Sequence, residues 1–312
     1  MNTELTVIIP FKNEGEEVGK TIRSLNDMAC GNINIIVIND ASDDGYDYSS
    51  IASEKNVKYI IHKESLGPAQ SRAHGVKLCE TEYFLLLDAH MRALTKGWNK
   101  LIIEELKTDK RAIYCCKTTD FSTNSFSHIH GIGAILDSTD LTCCWNNCDL
   151  TPEKTTTSIS CLLGASYCTN KNYWNKIHGY EGLCSYGLEE QLLSIKTLLE
   201  GGNCYVIKTV LFAHKFREIE KTPYKISKPD FIFNELYIIE TLFPLKLKKM
   251  IFQNIKRISN DYTFEIAMSK IANIRNKIKH EKNYYESIFS RDFKYITQLS
   301  NILKLNAYEK KI

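Results

Sequence analysis

The sequence lacks the features of a membrane-spanning, exported or nucleic-acid-binding protein. No apolar run in its 312 residues approaches the ~20 residues that a transmembrane helix needs. The first residues have no basic segment followed by an apolar one, so we expect no signal peptide and a cytoplasmic location. A formal net charge of +3 is too small to indicate a nucleic-acid partner.

Cysteine is plentiful, with 11 residues, but it lacks the spacing of a structural metal site. An odd number of cysteines in a chain without an export signal indicates reduced thiols. The densest group, Cys143, Cys144 and Cys148, has no second pair at zinc-ribbon spacing. A glycine-rich turn is also missing after the first predicted strand, where a nicotinamide-dependent oxidoreductase or a nucleotidyltransferase would need one. We therefore reject both of these enzyme classes.

The first third of the chain has the alternating pattern of an α/β fold. Short apolar runs alternate with amphipathic stretches over residues 5–117, which predicts a parallel sheet with crossover helices. The predicted strands cover residues 5–10, 33–38, 57–62, 82–87 and 112–117. The predicted helices cover residues 16–28, 68–79 and 97–107. The strand at 82–87 is so apolar that it must be buried on both faces.

The rest of the chain changes character twice. Residues 118–163 are polar, with a hairpin-like stretch at 129–136, and are typical of an excursion over a cleft. Order resumes at 161–166, followed by a helix from residue 170, a helix at 189–200 and a strand at 204–209. After residue 222 the pattern is helical, and residues 242–279 carry nine Lys or Arg against two acids. This predicts one domain at 1–221, with halves at 1–117 and 118–221, and a basic helical region at 222–312.

Candidate site residues follow the predicted strands, because ligands of open α/β sheets bind beyond the carboxyl ends of the strands. They are Pro10, Asn13 and Glu14 after the first strand, Asp40 after the second, Arg72 in the following helix, Asp88, Ala89 and His90 after the fourth, and His214 and Arg217 after the last. Each has a simpler explanation when taken alone. Residues 40–45 could be only a turn, Glu14 only a helix-start acid, and Arg72 only a partner of a surface acid.

The Asp88-x-His90 segment is more specific. An ionisable side chain at the end of so apolar a strand needs compensation, which a cation supplies. The i, i+2 spacing in an extended chain places both side chains on one side. A carboxylate together with an imidazole suits a borderline divalent ion, so we expect Mn²⁺, with Mg²⁺ as the alternative.

Several segments together resemble the GT-A fold glycosyltransferases of the family 2 type, and most of all the polypeptide N-acetylgalactosaminyltransferase group with its bacterial relatives. The segments are VIIPFKNE, IIVINDASDDG, LGPAQSRAHG, LLLDAHMRALTKGWNKLI, LTCCWNN, LLGASYCTNKNYWNKIHGYEG, SYGLEEQLLSIKTLLEGG and LFAHKFRE. Their order over residues 4–220 makes the resemblance specific. It implies a Rossmann-like, mostly parallel sheet with flanking helices, to which this chain adds a C-terminal helical extension in place of a lectin-like domain.

The resemblance also implies a role for each matching residue. Asp40 resembles the acid that reads the uracil edge, and Arg72 a donor-side basic residue. Asp88, His90 and His214 match the metal ligands. The remaining matches are Arg217 for a phosphate-facing arginine, Pro10, Asn13, Glu14 and Ala89 for the donor side, and Glu189 and Glu190 for the acidic catalytic motif that meets acceptor or sugar. Because the motif departs from the family pattern, the base and the stereochemical class stay open.

The sequence therefore predicts a metal-dependent glycosyltransferase that uses a nucleotide-sugar such as UDP-GlcNAc or UDP-GalNAc and a glycan, polymer or peptide acceptor. Trp145 and Tyr186 are candidates for contact with the acceptor. The alternative is a non-catalytic nucleotide- or glycan-binding module on the same fold, in which Glu189 and Glu190 only favour a helix start. The basic C-terminal region could also attract the inner face of an anionic membrane, and the oligomeric state stays open.

Overall fold

A computed structural model describes residues 3–120, 129–217 and 222–309. The strands are β1 Leu5–Phe11, β2 Asn34–Asn39, β3 Val57–Ile61, β4 Tyr83–Leu87, β5 Met91–Ala93, β6 Ala112–Asp120, β7 Ile129–Gly131, β8 Ala134–Leu136, β9 Cys143–Trp145, β10 Thr156–Ser158, β11 Ser166–Asn170 and β12 Asn203–His214. The helices are α1 Glu17–Met28, α2 Pro68–Leu78, α3 Trp98–Thr108, α4 Lys171–Lys176, α5 Glu189–Glu200, α6 Lys228–Leu242, α7 Leu245–Ile258, α8 Asp261–Asn273, α9 Arg275–Ile288 and α10 Phe293–Glu309.

One 10-stranded sheet organises the first two thirds of the chain. Its order is β10-β12-β6-β11-β4-β1-β2-β3, with β5 added to β12 and β7 added to β6. Strands β4, β1, β2 and β3 run parallel, as do β6 and β12, whereas β11 is antiparallel to both of its neighbours. The predicted α/β fold with a mostly parallel sheet is confirmed. The sheet brings the carboxyl ends of β1, β2 and β4 to one edge.

Helices cover both faces of the sheet and form two apolar cores. Helix α1 places Val18, Ile22 and Leu25, spaced i, i+4 and i+7, in the core that it shares with α3. On the other face, α2 and α5 pack in a core that also contains Leu236 and Ile239 of α6. Because both faces are covered, all five residues of β4 are buried, as its apolar sequence predicted.

The chain beyond residue 222 is helical, as predicted, through α6 to α10. Ser290 and Arg291 donate their backbone N–H groups to the carbonyl of Leu199, at 2.9 Å each, and so fasten the loop before α10 to the end of α5. The division at 221/222 stays a prediction, and residues 218–221 lie outside the described part of the chain. No helix among the described residues is long and apolar enough to span a bilayer.

One local prediction is wrong. The stretch at 129–136 is not a hairpin, because β7 pairs with β6 while β8 pairs with β9. Order resumes at Cys161, as predicted, with an isolated bridge to Ala134. The strand β11 begins at Ser166, since Gly164 and Ala165 have positive φ angles of 105° and 59° that interrupt an extended backbone.

Strand β12 extends five residues beyond its predicted end and contains an irregularity. Ile207 pairs with Cys116, but the next pair is Leu211 with Lys117, so residues 208–210 have no paired position in β6. Beyond this bulge β12 also pairs with β5, in a register that sets His214 opposite Met91.

Candidate active site

A cleft of about 760 Å³ opens at the carboxyl ends of β1, β2 and β4. The predicted site residues that line it are Pro10, Asn13, Glu14, Asp40, Arg72, Asp88, Ala89, His90, Tyr186, Glu189 and Glu190. His214 and Arg217 do not line the cleft but contact residues that do. Trp145 lies outside the lining. Residues from four strand ends and from α5 therefore meet in one place.

Asp88, His90 and His214 form a cluster whose ligand atoms all lie within 4.8 Å of one another. Asp88 and His90 follow β4, and the pairing of β5 with β12 brings His214 beside them. His90 Nε2 lies 3.1 Å from His214 Nε2, which is 3.6 Å from Asp88 Oδ2. Three potential ligand atoms thus converge on one point.

The donor set and spacing of this cluster fit one divalent ion. Ligand atoms that bind an ion at about 2.1 Å along perpendicular bonds lie about 3 Å apart, close to the observed separations of 3.1 and 3.6 Å. Burial lowers the pKa of His214 despite its contact with Asp88, which favours the neutral imidazole that ligation requires. Burial opposes ionisation of Asp88, yet Arg72 and the two histidines hold the pKa of Asp88 far below its usual range.

Glu14 contacts both the metal-ligand cluster and Arg217. Its Oε2 lies 3.2 Å from His90 Nδ1, an ion-pair distance that is not aligned as a hydrogen bond. Both of its oxygens accept hydrogen bonds from Arg217, at 2.7 and 2.5 Å. Burial raises the pKa of Glu14, but contacts with His90 and Arg217 outweigh it and lower that pKa below its usual value. Glu14 is therefore a buried carboxylate held between a metal-ligand candidate and an arginine.

Arg72 connects the cluster to the acidic start of α5. The buried guanidinium donates to Asp88 Oδ1, and its Nη1 lies 3.7 Å from Glu189 Oε1. Its Nε finds no hydrogen-bond acceptor in the described part of the chain. A buried cation shared between two carboxylates favours their ionised forms.

Glu189 and Glu190 begin α5 after Leu188, a residue with a φ of 71°. Glu189 Oε2 accepts from the Gly187 N–H at 2.9 Å, and Glu190 Oε1 accepts from the Tyr167 hydroxyl at 2.5 Å. Burial and the charge of Glu190 raise the pKa of Glu189 to about 7, and the nearby guanidinium only partly opposes this. A carboxyl that titrates near neutrality is suited to proton transfer.

Asp40 fastens β2 to the start of α2. Its carboxylate accepts five hydrogen bonds of 2.8–3.0 Å, from His62 Nδ1, the hydroxyls of Ser65 and Ser71, and the backbone N–H groups of Leu66 and Gly67. Burial opposes ionisation, but these donors lower the pKa of Asp40 below its usual value. The contact with a uracil ring stays a prediction, and it would compete with these internal bonds.

Three aromatic residues lie at the site in addition to the predicted ones. Tyr224 lines the cleft and lies 6.2 Å from Tyr186 between ring centroids. Phe216 lies edge-on to His214, with centroids 4.3 Å apart, and 6.1 Å from Trp145, so Trp145 approaches the cluster through Phe216. Tyr167 donates a hydrogen bond to Glu190. Phe216 and Tyr167 both stand inside motifs that match the family, whereas no local pattern singles out Tyr224.

Comparisons with known proteins bear on the family and the fold of the chain. Residues 6–158 match the family described as glycosyl transferase family 2. The chain is 21% identical over 231 residues to polypeptide N-acetylgalactosaminyltransferase 14 of Homo sapiens, an alignment that covers 70% of this chain and 41% of that protein. The chain thus spans less than half the length of this relative.

Two solved structures share the fold. The crystal structure of GalNAc-T7 with UDP, GalNAc and Mn²⁺ superposes with a TM-score of 0.71 at 18% identity, covering 94% of this chain and 56% of that one. Residues 1–349 of S. aureus TarS in complex with UDP-GlcNAc superpose with a TM-score of 0.56 at 14% identity, covering 92% of this chain and 90% of that one.

Residues 6–158 thus match glycosyl transferase family 2, and the chain has the GT-A fold, as the sequence predicted. The chain is similar in sequence and in fold to the polypeptide N-acetylgalactosaminyltransferases.

Proposed function

We propose that this chain transfers a sugar, an N-acetylhexosamine in the first instance, from a UDP-sugar to a glycan, polymer or peptide acceptor in a metal-dependent reaction. The observation that carries the proposal is the convergence of Asp88, His90 and His214 at a cleft that Glu189 and Glu190 also line. The UDP and Mn²⁺ bound to GalNAc-T7 and the UDP-GlcNAc bound to TarS support the choice of donor and ion.

The metal cluster serves the departing diphosphate. Asp88, His90 and His214 would hold a divalent ion, Mn²⁺ before Mg²⁺, which supplies Lewis-acid stabilisation of the negative charge that grows on the leaving group. Arg72 orients Asp88 through its hydrogen bond. Glu14 holds Arg217 in place through two hydrogen bonds. A phosphate group that binds Arg217 would therefore compete with Glu14 for the guanidinium.

The acids of α5 serve the acceptor. With a pKa raised to about 7, Glu189 is suited to take the proton of an acceptor hydroxyl if the reaction inverts the anomeric centre. If the reaction retains it, Glu189 and Glu190 bind sugar hydroxyls instead. The cleft volume of about 760 Å³ falls in the range of small-molecule sites and leaves space for both a nucleotide-sugar and part of an acceptor.

Donor hydrolysis by the purified chain tests the proposal. Release of UDP from UDP-GalNAc and UDP-GlcNAc should require Mn²⁺ and cease with a chelator. His214→Ala should lower turnover by ~10²-fold or more, whereas His280→Ala, an exposed histidine of α9, should leave it unchanged. Full turnover in excess chelator contradicts the metal assignment. UDP binding without turnover of any donor or transfer to any acceptor favours the non-catalytic module.

A further inference from the structure

Helix α7 carries a basic surface that the cleft does not use. Its 14 residues include five Lys or Arg and no Asp or Glu. Ile251 and Ile255, one turn apart, are buried in the core beside α6. Of the five basic residues, only Lys248 forms an ion pair with another described residue, at 3.0 Å to Glu240. The others point away from the protein.

The outward residues form what we call the α7 face. Its basic members, all exposed, are Lys246, Lys249, Lys256 and Arg257. Its apolar members are Leu245 and Met250, whose exposed fractions are 62% and 44%. These apolar side chains lie among uncompensated positive charges. Exposed apolar side chains interspersed with positive charges are typical of a helix that binds at a membrane interface.

We infer that the α7 face docks on an anionic lipid surface. Positive charge attracts anionic headgroups, while the apolar side chains enter the boundary between headgroups and acyl chains, as they do in interfacial amphipathic helices. A soluble anionic polymer would satisfy the lysines but offers no apolar phase for Leu245 and Met250. The exposed apolar residues therefore favour the lipid surface over the polymer.

The α7 face is separate from the cleft. Phe231, in the first turn of α6, lines the cleft, and α6 ends at Leu242, just before α7. A helix of 15 residues is about 22 Å long. Substitutions on the α7 face should therefore leave turnover of a soluble donor unchanged, so failure of this inference and failure of the proposed transfer reaction can be distinguished.

Vesicle co-sedimentation with the full chain tests the inference. Phosphatidylcholine vesicles that contain phosphatidylglycerol should bind the protein, and pure phosphatidylcholine vesicles should not. Combined substitution of Lys246, Lys249 and Lys256 by Gln should weaken binding by about 100-fold, at roughly fivefold per removed charge. The matched control replaces Lys55, Lys58 and Lys100, which are exposed elsewhere, by Gln. Equal losses in the two variants, or equal binding to both vesicle types, would overturn the inference.

The apolar residues distinguish lipid from polymer. Leu245→Ser combined with Met250→Ser should weaken binding to anionic vesicles and leave binding to dextran sulfate unchanged. Unaltered vesicle binding by this variant would overturn the lipid assignment, because only a lipid surface takes up these side chains. Binding to dextran sulfate without binding to vesicles would assign the face to an anionic polymer instead. Because all the altered side chains are exposed, circular dichroism melts should match the wild type.

Discussion

Glu14→Gln tests whether the metal cluster depends on a side chain that does not itself ligate the ion. Glu14 lies between His90 Nδ1, at 3.2 Å, and the two nitrogens of Arg217 that donate to it. A carboxylate behind a ligating histidine fixes the orientation of the ring and raises the basicity of the nitrogen that faces the metal. Glutamine keeps the size of the side chain and removes the charge. The variant should therefore fold and bind metal less tightly.

The expected loss of Mn²⁺ affinity is about 10–100-fold, or ~1.4–2.8 kcal/mol, the usual effect of removing such a partner. Glu14 is only 7% exposed, so solvent does little to screen its charge. Its oxygen is not aligned as a hydrogen bond to His90, so the lower half of that range is expected. Arg217 loses two charge-assisted hydrogen bonds in the same variant. This should lower the free energy of unfolding by about 1–3 kcal/mol.

Electron paramagnetic resonance of free Mn²⁺, with and without UDP, measures this affinity without any turnover. Glu17→Gln is the matched control, because Glu17 is similarly buried but pairs with Arg92 at 2.5 Å and Lys215 at 3.3 Å. The Mn²⁺ affinity of both variants should be measured at a temperature at which urea melts show that each variant is folded without urea. Equal Mn²⁺ affinities in the two variants would refute the supporting role of Glu14.

Three further substitutions test the acids of the cleft. Because the folded pKa of Glu189 is raised to about 7, the contribution of Glu189 to stability should be full below pH 4.5 and be lost as pH rises through 7. Urea melts at several pH values should show that Glu189→Gln removes about 3 kcal/mol of this pH-dependent loss of stability. Parallel plots of the free energy of unfolding against pH for the wild type and the variant would contradict the raised pKa. Glu190→Gln or Glu189→Gln should lower transfer to an acceptor by ~10²-fold, with the exposed Glu104→Gln unaffected. Wild-type transfer rates in both variants would mean that these two acids only stabilise the start of α5. Asp40→Asn should lower the free energy of unfolding by about 2–3 kcal/mol. The amide N–H groups would face the N–H and O–H groups that now donate hydrogen bonds to the carboxylate. Asp43→Asn, at an exposed position, is the control, and equal melts for the two variants would argue against that cost.

Local signals predicted most of the fold. The residues of α5 match the predicted 189–200, and β1, β4 and α3 begin or end within a residue of their predicted bounds. In these segments the apolar period and the burial agree, since each packs on a face of the sheet. The hairpin predicted at 129–136 does not form, because its two short apolar runs pair with other strands. β7 pairs with β6 and β8 pairs with β9, and no local sequence pattern indicates these pairings.

The membership of the cleft was largely predicted, but its internal bonds were not. That Glu14 would hold Arg217, or that Asp40 would accept five hydrogen bonds, depends on contacts between residues up to 203 positions apart. Such contacts follow from strand order, which composition and periodicity do not specify. The roles of these residues in donor and acceptor binding stay predictions.

The bulge in β12 helps to place His214 in the proposed metal site. Residues 208–210 have no paired position in β6, whereas residues 211–214 pair with β6 and residues 212–214 also pair with β5. The pairing after the bulge therefore fixes the position of His214, and the unpaired residues only connect it to the regular pairing that ends at Ile207. Successive side chains in a strand point to opposite faces, so a slip of this later pairing by one residue would turn His214 away from His90. A homologous chain could therefore keep every motif around Asp88 and still place its late histidine elsewhere, if the end of β12 paired in another register.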